Sequence, residues 1–127
     1  MGVRALLDTH VLLWALMEPG RLSSRARRVI EDVNNEVVVS SASAWEIATT
    51  HRLGRLPEAE TVMHGYAEHL ARLQATELPI SSRHALLAGA LPGTHRDPFD
   101  RMLASQALIE GVPVITSDPL FKHFRAK

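Results

Sequence analysis

The sequence predicts an α/β fold, a sandwich in which a mostly parallel central sheet is flanked by helices on both faces. Short apolar runs of strand length alternate along the 127 residues with longer stretches of helical periodicity. The strand-like runs are separated by the long crossovers that parallel pairing requires. The runs at Val3–Leu7 and Val37–Val39 are mostly apolar without alternation, as expected of strands covered on both faces.

The composition is that of one globular domain spanning residues 1–127, with 46% apolar and 22% charged residues. The absence of cysteine excludes disulfides and thiolate metal sites. No apolar run approaches the roughly 20 residues that span a bilayer, and Asp8 comes too early for a signal peptide. We therefore expect a cytoplasmic protein with no membrane partner.

The charge balance leaves nucleic-acid binding open. The formal net charge is zero, with 14 acidic and 14 basic side chains, which argues against a surface that simply coats nucleic acid. Twelve of the basic side chains are arginines, which suit bidentate phosphate contacts. If four acids share one metal-filled pocket, the remaining surface has a net charge of about +4.

The first half of the chain predicts, in order, a strand, two helices, a strand and a helix. These are Val3–Leu7, Thr9–Met17, a helix capped by Ser23 or Ser24 and stopped at Asn34-Asn35, Glu36–Ser40, and Ser43 to about Leu53. Ser43 and Glu46 have the spacing of a capping box, which puts Glu46 in the first turn of the third helix. Val33 is expected on the inward face of the second helix.

The second half predicts a helix, an edge strand, two helices, a buried strand and a terminal helix. These are Pro57 to about Gln74, Thr76–Ile80, Arg83–Ala90 after a cap at Ser81 or Ser82, Asp97–Glu110, Val112–Thr116, and a short helix from Ser117-Asp118-Pro119. Gly65 weakens the first of these helices, and Pro79 confines its strand to an edge or a strand end. Asp97 suits the N-cap of the long helix, Pro98 its first position and Asp100 its first turn.

Four acids are predicted to meet at one edge of this sheet. Asp8 ends the first strand, Asp118 lies two residues beyond the last, and Glu46 follows the valine-rich strand. Because the carboxyl ends of parallel strands share one edge, these three acids face it together, and Asp100 joins them if its helix begins nearby. Capping alone also explains Glu46, Asp97 and Asp118, whereas an ionised Asp8 is costly to bury without partners.

Electrostatics limits what such a cluster can be. Two carboxylates about 5 Å apart repel by roughly 3 kcal/mol at an effective dielectric of 20, so four would protonate unless cations lay among them. Oxygen ligands without His or Cys select the hard ions Mg²⁺ or Mn²⁺ over zinc. Metal-assisted hydrolysis of a phosphodiester is the reaction that these ligands fit best.

Motifs along most of the chain resemble the PIN-domain family, and within it the VapC-type toxins of toxin–antitoxin pairs. They are Leu7–Trp14, Ser43–Ile47, Leu78–Ile80, His95–Arg101 and Thr116–Asp118. The resemblance implies a PIN-like sandwich and a Mg²⁺- or Mn²⁺-dependent ribonuclease. It also implies a homodimer, and a cognate antitoxin that inserts a helix or an extended tail into an apolar groove and blocks the site.

The same resemblance assigns roles to individual residues. The catalytic acids it implies are Asp8, Glu46, Asp100 and Asp118. Asp97 is an extra acid that either assists the metal or only caps its helix, and Thr9 and Thr116 match hydroxyl positions that support the carboxylates. The expected reaction is in-line attack by metal-activated water on RNA, with Asp8, Asp100 and Asp118 on the metal and Glu46 either ligating it or orienting water. Phosphate contacts are expected from Arg96 and Arg101, with Arg52 as a further candidate, although Arg101 also reads as a solvated helix residue.

Two other classes of protein remain open at this point. A receiver-like phosphotransfer domain is also α/β, but the chain offers neither a phosphoacceptor Asp after a middle strand nor a Lys after a later one. A non-catalytic PIN-like module that binds RNA or protein would keep the fold and lose the metal, and metal titration with a nuclease assay would identify it. Trp14 and Trp45 are expected in the core or an interface rather than against bases. The histidines show no zinc-ligand spacing and are expected at the surface or in packing, with His95 a minor candidate for a substrate contact.

Overall fold

The centre of the molecule is a parallel sheet whose strands all point the same way. The computed structural model describes residues 2–93 and 97–116. Within them the strands are β1 (Arg4–Leu7), β2 (Glu36–Ser40), β3 (Ala75–Leu78) and β4 (Val114–Ile115), paired in the order β3-β2-β1-β4. Leu7 pairs with Val39 on one side and with Ile115 on the other. The strand ends therefore bring residues 8, 40 and 116 to the same level at one edge.

Helices cover both faces of the sheet, as the sequence predicts. They are α1 (Thr9–Met17), α2 (Ser24–Glu31), α3 (Ser41–Arg52), α4 (Ala59–Met63), α5 (Tyr66–Arg72), α6 (Ser82–Ala90) and α7 (Pro98–Glu110), with a 3-10 turn at Pro19–Arg21. Leu7 packs into the core that contains residues of α1 to α5, whereas Leu6 packs into the core built on α7 and the end of α6. None of the helices within the described residues has the length and apolarity to cross a membrane.

The prediction of one helix from Pro57 to about Gln74 is wrong in one respect, because this stretch forms two helices, α4 and α5. Gly65 separates the two with φ +70°, a left-handed conformation that glycine adopts without steric penalty. The following strand lies at the edge of the sheet and ends before Pro79, as the missing N–H of proline requires.

The start of α3 also differs from the prediction. Ser40, the last residue of β2, is the N-cap, and its Oγ accepts a hydrogen bond from the Ala42 N–H at 3.0 Å. The Ser43–Glu46 capping box is therefore wrong: Ser43 is buried inside the helix, and Glu46 lies in its second turn. The helix begins earlier because the extended backbone of the strand leads directly into it.

Two apolar side chains, one expected on the inward face of a helix and one expected in the core or an interface, are exposed. Val33 is 86% exposed because α2 ends at Glu31, two residues before it. Trp45 is 58% exposed on α3 and lies outside the core, with its ring packed edge-on against that of Phe99.

His84 joins α6 to α7. Its Nδ1 accepts a hydrogen bond from the Ser81 N–H at 3.0 Å, closing a capping box at the start of α6. Because Nδ1 is an acceptor, the proton of the neutral ring lies on Nε2, which donates to the Glu110 carboxylate at 3.1 Å. Arg4 of β1 also contacts Glu110 at 3.6 Å, so this carboxylate joins α6, α7 and the sheet.

This arrangement predicts how stability changes in acid. The hydrogen bond from His84 lowers the pKa of Glu110 from its ordinary value of 4.5. A hydrogen bond from Arg4 and the positive charge of Arg4 lower it further. The stabilisation is therefore complete above pH 4.5 and is lost as the pH falls through the lower pKa of the folded state. We expect Glu110→Gln to lower Tm at pH 7, and we expect this loss of Tm to become smaller as the pH falls below 4.5, as measured by circular dichroism. The control is Glu31→Gln, at an exposed position, and an equal loss of Tm at pH 7 and below pH 4.5 would contradict this account.

Candidate functional site

Asp8 stands where β1 ends and α1 begins. Its side chain is 6% exposed, and its Oδ1 accepts a hydrogen bond from the Val11 N–H at 2.8 Å, which makes it the N-cap of α1. Its Oδ2 accepts a hydrogen bond from the Thr116 hydroxyl, and its own N–H donates to the Ile115 carbonyl at 3.1 Å. Sequence reasoning placed Asp8 at the strand end but missed that it caps a helix. Both carboxylate oxygens are thus held in a fixed orientation.

A buried pair of hydroxyls lies next to Asp8. The Oγ1 of Thr9 and the Oγ of Ser43 are 3.0 Å apart, which joins the first turns of α1 and α3. The Thr9 side chain also hydrogen-bonds to Glu46. Sequence reasoning assigned Ser43 to a helix cap and missed this contact. The signal was its spacing of three residues from Glu46, which puts both on one face of α3.

Glu46 is where the acids interact. Burial raises its pKa above the ordinary value of 4.5, and the negative charges of Asp97 and Asp8 raise it further, while the hydrogen bond with Thr9 and the charge of His10 lower it. The charges of Asp8 and Asp97, which lie far apart in the sequence, therefore both act on the carboxyl group of Glu46. Asp8 and Asp97 thus lie near enough to Glu46 for their charges to act on it, while the meeting of Asp8, Glu46, Asp100 and Asp118 at one edge of the sheet stays a prediction.

The start of α7 contains two acids, Asp97 at the N-cap and Asp100 in the first turn. The Oδ1 of Asp97 accepts hydrogen bonds from the N–H groups of Phe99, at 2.9 Å, and Asp100, at 3.4 Å. The ring of Phe99 lies 4.7 Å from that of Trp45, so the first turn of α7 packs against α3 beside Glu46. Asp97 therefore caps its helix as predicted, and Asp100 is half-buried in the first turn.

The remaining predicted site residues have different outcomes. Asp118 and Arg96, with His95, lie outside the described residues. Arg101 bonds to the C-terminal end of α6: its Nε donates to the Ala88 carbonyl at 2.9 Å, and a terminal nitrogen donates to the Leu91 carbonyl. The guanidinium thereby holds the start of α7 against α6, a role that neither of its two interpretations anticipated. A phosphate contact from Arg101 stays a prediction.

The chemistry of these donors fits a hard divalent cation. Asp8, Glu46, Asp97 and Asp100 offer only carboxylate oxygens, and the raised pKa of Glu46 reflects burial and repulsion that a cation would offset. Within residues 2–93 and 97–116, no three His, Asp or Glu side chains lie close enough to hold an ion by themselves. Mg²⁺ is commonly held by one or two carboxylates together with waters and substrate phosphate, so a complete cage is not required.

The burial of Glu46 has a consequence for stability. A carboxyl whose pKa is raised in the folded state destabilises that state once the pH exceeds 4.5, because the ionised form is disfavoured there. We expect Glu46→Gln to raise Tm by a few degrees at pH 7 in EDTA and to leave it unchanged near pH 3. Differential scanning calorimetry against Glu31→Gln measures this, and a lower Tm for Glu46→Gln at pH 7 would contradict it.

Comparison with known proteins agrees with this geometry. A model of the PIN domain matches residues 5–127. The chain is 31% identical to Ribonuclease VapC22 of Mycobacterium tuberculosis over 123 residues, which cover 94% of this chain and 91% of that protein. It is 34% identical to Ribonuclease VapC16 of the same organism over 61 residues, 48% of this chain and 43% of that one.

A solved structure shows the same fold at low sequence identity. It is a chain in the crystal structure of VapBC2 from Rickettsia felis bound to a DNA fragment from their promoter, with a TM-score of 0.71 and 18% identity. The match covers 96% of this chain and 93% of that one. From these matches and its parallel sheet with Asp8 at the end of β1, the chain belongs to the PIN-domain family, and within it to the VapC type.

Proposed function

We propose that this protein is an endoribonuclease that uses Mg²⁺ or Mn²⁺ and acts as the toxin of a toxin–antitoxin pair. The observation that carries the proposal is the buried Asp8 at the carboxyl end of β1, whose carboxylate is oriented from two sides and whose charge, with that of Asp97, acts on Glu46. Two similar proteins are named ribonucleases, which supports RNA as the substrate. Asp8, Glu46, Asp97 and Asp100, with Asp118, are the residues that would hold the ion.

A bound ion would supply an activated water and would offset charge on the reacting phosphate. The protein's own residues set the geometry. Asp8 is oriented from two sides, by the Val11 N–H and the Thr116 hydroxyl, so its carboxylate does not need to reorganise during the reaction. Glu46, with its raised pKa, is suited to accept a proton from the attacking water at its carboxylate.

Two assembly partners belong to the same proposal: a cognate antitoxin that blocks the site, and a second copy of the chain. The similar structure from Rickettsia felis is a VapBC complex, which supports an antitoxin. Leu86 on α6 and Leu108 on α7 are exposed on helices that pack together, which supports an apolar contact between two copies. Analytical ultracentrifugation of the isolated chain tests the dimer.

The test of the proposed activity is removal and return of the ion. The protein is incubated with total RNA in EDTA, and then with Mg²⁺ or Mn²⁺ in excess, and new 5′ ends are mapped by sequencing. We expect discrete cleavage with either ion and a rate at least about a thousand-fold lower in EDTA. Cleavage that persists in EDTA would contradict the metal dependence. Absence of cleavage, with no change of Tm on adding either ion, would instead identify a non-catalytic binding module.

A further inference from the structure

A groove extends from the carboxylate site along α1. We call it the α1 groove; its volume is about 530 Å³, and its walls include His10, Leu13, Trp14, Met17 and Glu46. Glu46 belongs both to the groove and to the carboxylate site. A molecule bound with its phosphate at the acids therefore has this groove as an adjoining space.

The floor of the α1 groove is apolar and contains one large flat ring. Leu13 and Met17 supply aliphatic surface, and the half-buried Trp14 supplies the ring. The Arg21 guanidinium carbon lies 4.9 Å from the Trp14 ring centroid, and the His10 ring lies 6.2 Å from it at a tilt of 52°. Flat rings and guanidinium planes next to one another form the kind of surface on which a nucleobase stacks.

Charge on the rim is mixed, so it does not by itself select a ligand. Two basic residues, Arg21 and Arg55, line the groove together with the acidic Glu18 and Glu58. A uniformly basic groove would bind any polyanion. Selectivity in this groove depends instead on its apolar and aromatic surface. A volume of this size lies in the range that binds a single small ligand.

From these features we infer that the α1 groove is a nucleobase subsite, which binds the base of a nucleotide adjoining the phosphodiester to be cut. Trp14 is the stacking residue and Arg21 contacts the base or its phosphate. The inference rests on the proposed function, since it places the scissile phosphate at Asp8 and Glu46. It makes Trp14 a determinant of which base is preferred at that position.

The chain offers an internal comparison, because its two tryptophans lie in different places. Trp45 lies outside the α1 groove, exposed against Phe99. Each tryptophan gives one indole N–H signal in a ¹H–¹⁵N NMR spectrum, and the variants Trp14→Phe and Trp45→Phe assign them. The two signals then report separately on the groove and on the exposed aromatic pair.

The probes are the four 5′-mononucleotides AMP, GMP, CMP and UMP, with ribose 5-phosphate as the control without a base. They contain no phosphodiester between nucleotides, so the active protein with Mg²⁺ can be used. We expect the Trp14 signal to shift with one or more mononucleotides at concentrations up to about 10 mM, because stacking of one base gives weak affinity. Ribose 5-phosphate should leave it in place, the Trp45 signal should move less, and Arg21→Gln should weaken the response.

Three results would overturn the inference. The first is a shift of Trp45 alone, which would place base stacking on the exposed aromatic pair. The second is an equal shift with ribose 5-phosphate, which would show that only phosphate binds. The third is no shift of Trp14 with any mononucleotide, which would leave an apolar segment of a protein partner as the occupant of the groove.

A cleavage map provides the second readout. We expect Trp14→Leu to lower kcat/KM at the preferred base by roughly ten-fold or more and to flatten the preference, with Trp14→Phe retaining most of it. An unchanged preference in Trp14→Leu would contradict the inference. If mononucleotides bind at Trp14 but the protein cuts no RNA, the proposed function is contradicted and the nucleobase subsite is not. Failure of the proposed function and failure of this inference are therefore distinguishable.

Discussion

Asp8→Asn is expected to reduce RNA cleavage by at least about a thousand-fold, equal to about 4 kcal/mol of lost transition-state stabilisation. The substitution removes the charge from the most firmly oriented acid of the site. An asparagine carbonyl can still accept from the Val11 N–H, and the Thr116 hydroxyl can accept from its amide, so the hydrogen bonds are replaceable. We therefore expect Tm in EDTA to stay within a few degrees of the unmodified protein, as measured by calorimetry alongside single-turnover cleavage.

The matched control is Asp32→Asn, which has the same chemistry at a distance from the site. The Oδ1 of Asp32 accepts a hydrogen bond from the Asn34 N–H at 2.9 Å in an exposed loop. This variant should cleave RNA at the normal rate. If Asp8→Asn kept more than about a tenth of the activity while Mn²⁺ still raised its Tm, Asp8 would not be a metal-binding catalytic acid.

Leu6→Ala is expected to lower the free energy of unfolding by about 3 kcal/mol and Tm by roughly 10 °C. Leu6 is 0% exposed and packs with Val38 and Leu103 in the core beneath α7. Truncation leaves a cavity under the helix that carries Asp97 and Asp100. Urea denaturation followed by circular dichroism gives the free energy.

The comparison for this variant is Val33→Ala, since Val33 is 86% exposed beyond the end of α2. It should change the free energy of unfolding by no more than about 0.5 kcal/mol. A cost below about 1 kcal/mol for Leu6→Ala would mean that the core beneath α7 collapses around the missing side chain. Leu6→Ala should retain its activity at temperatures well below its Tm, because Leu6 packs in the apolar core and the hydrogen bonds that orient Asp8 come from Val11 and Thr116.

Cap residues, prolines and glycines in the sequence predicted where a helix begins and ends wherever one of these signals was unambiguous. Asp97 and Pro98 begin α7, and Gly111, with φ +68°, ends it as expected. They misplaced the start of α3 because Ser40 and Ser43 both suit an N-cap, and the end of β2 decides between them. In the predicted fourth helix, Gly65 takes a left-handed conformation that a helical pattern does not reveal.

The candidate site was predictable to the extent that it depends on strand ends. Asp8 follows β1, and the parallel sheet fixes the edge that it occupies. The effect of the Asp97 charge on the pKa of Glu46 depends on α3 packing against α7, which no local spacing in the sequence encodes. The bonds of Arg101 to the end of α6, and of His84 to Glu110, likewise depend on the packing of α6 against α7, between residues 13 and 26 positions apart.

The hydrogen bond between Thr116 and Asp8 joins residues 108 positions apart. Strand β1 pairs with β2 on one side and with β4 on the other, and β4 comes later in the sequence. Thr116 directly follows β4. A growing chain on the ribosome can form α1 and β2 long before residue 116 has been added. The acid at position 8 therefore gains its second hydrogen bond only after β4 has been synthesised and has paired with β1.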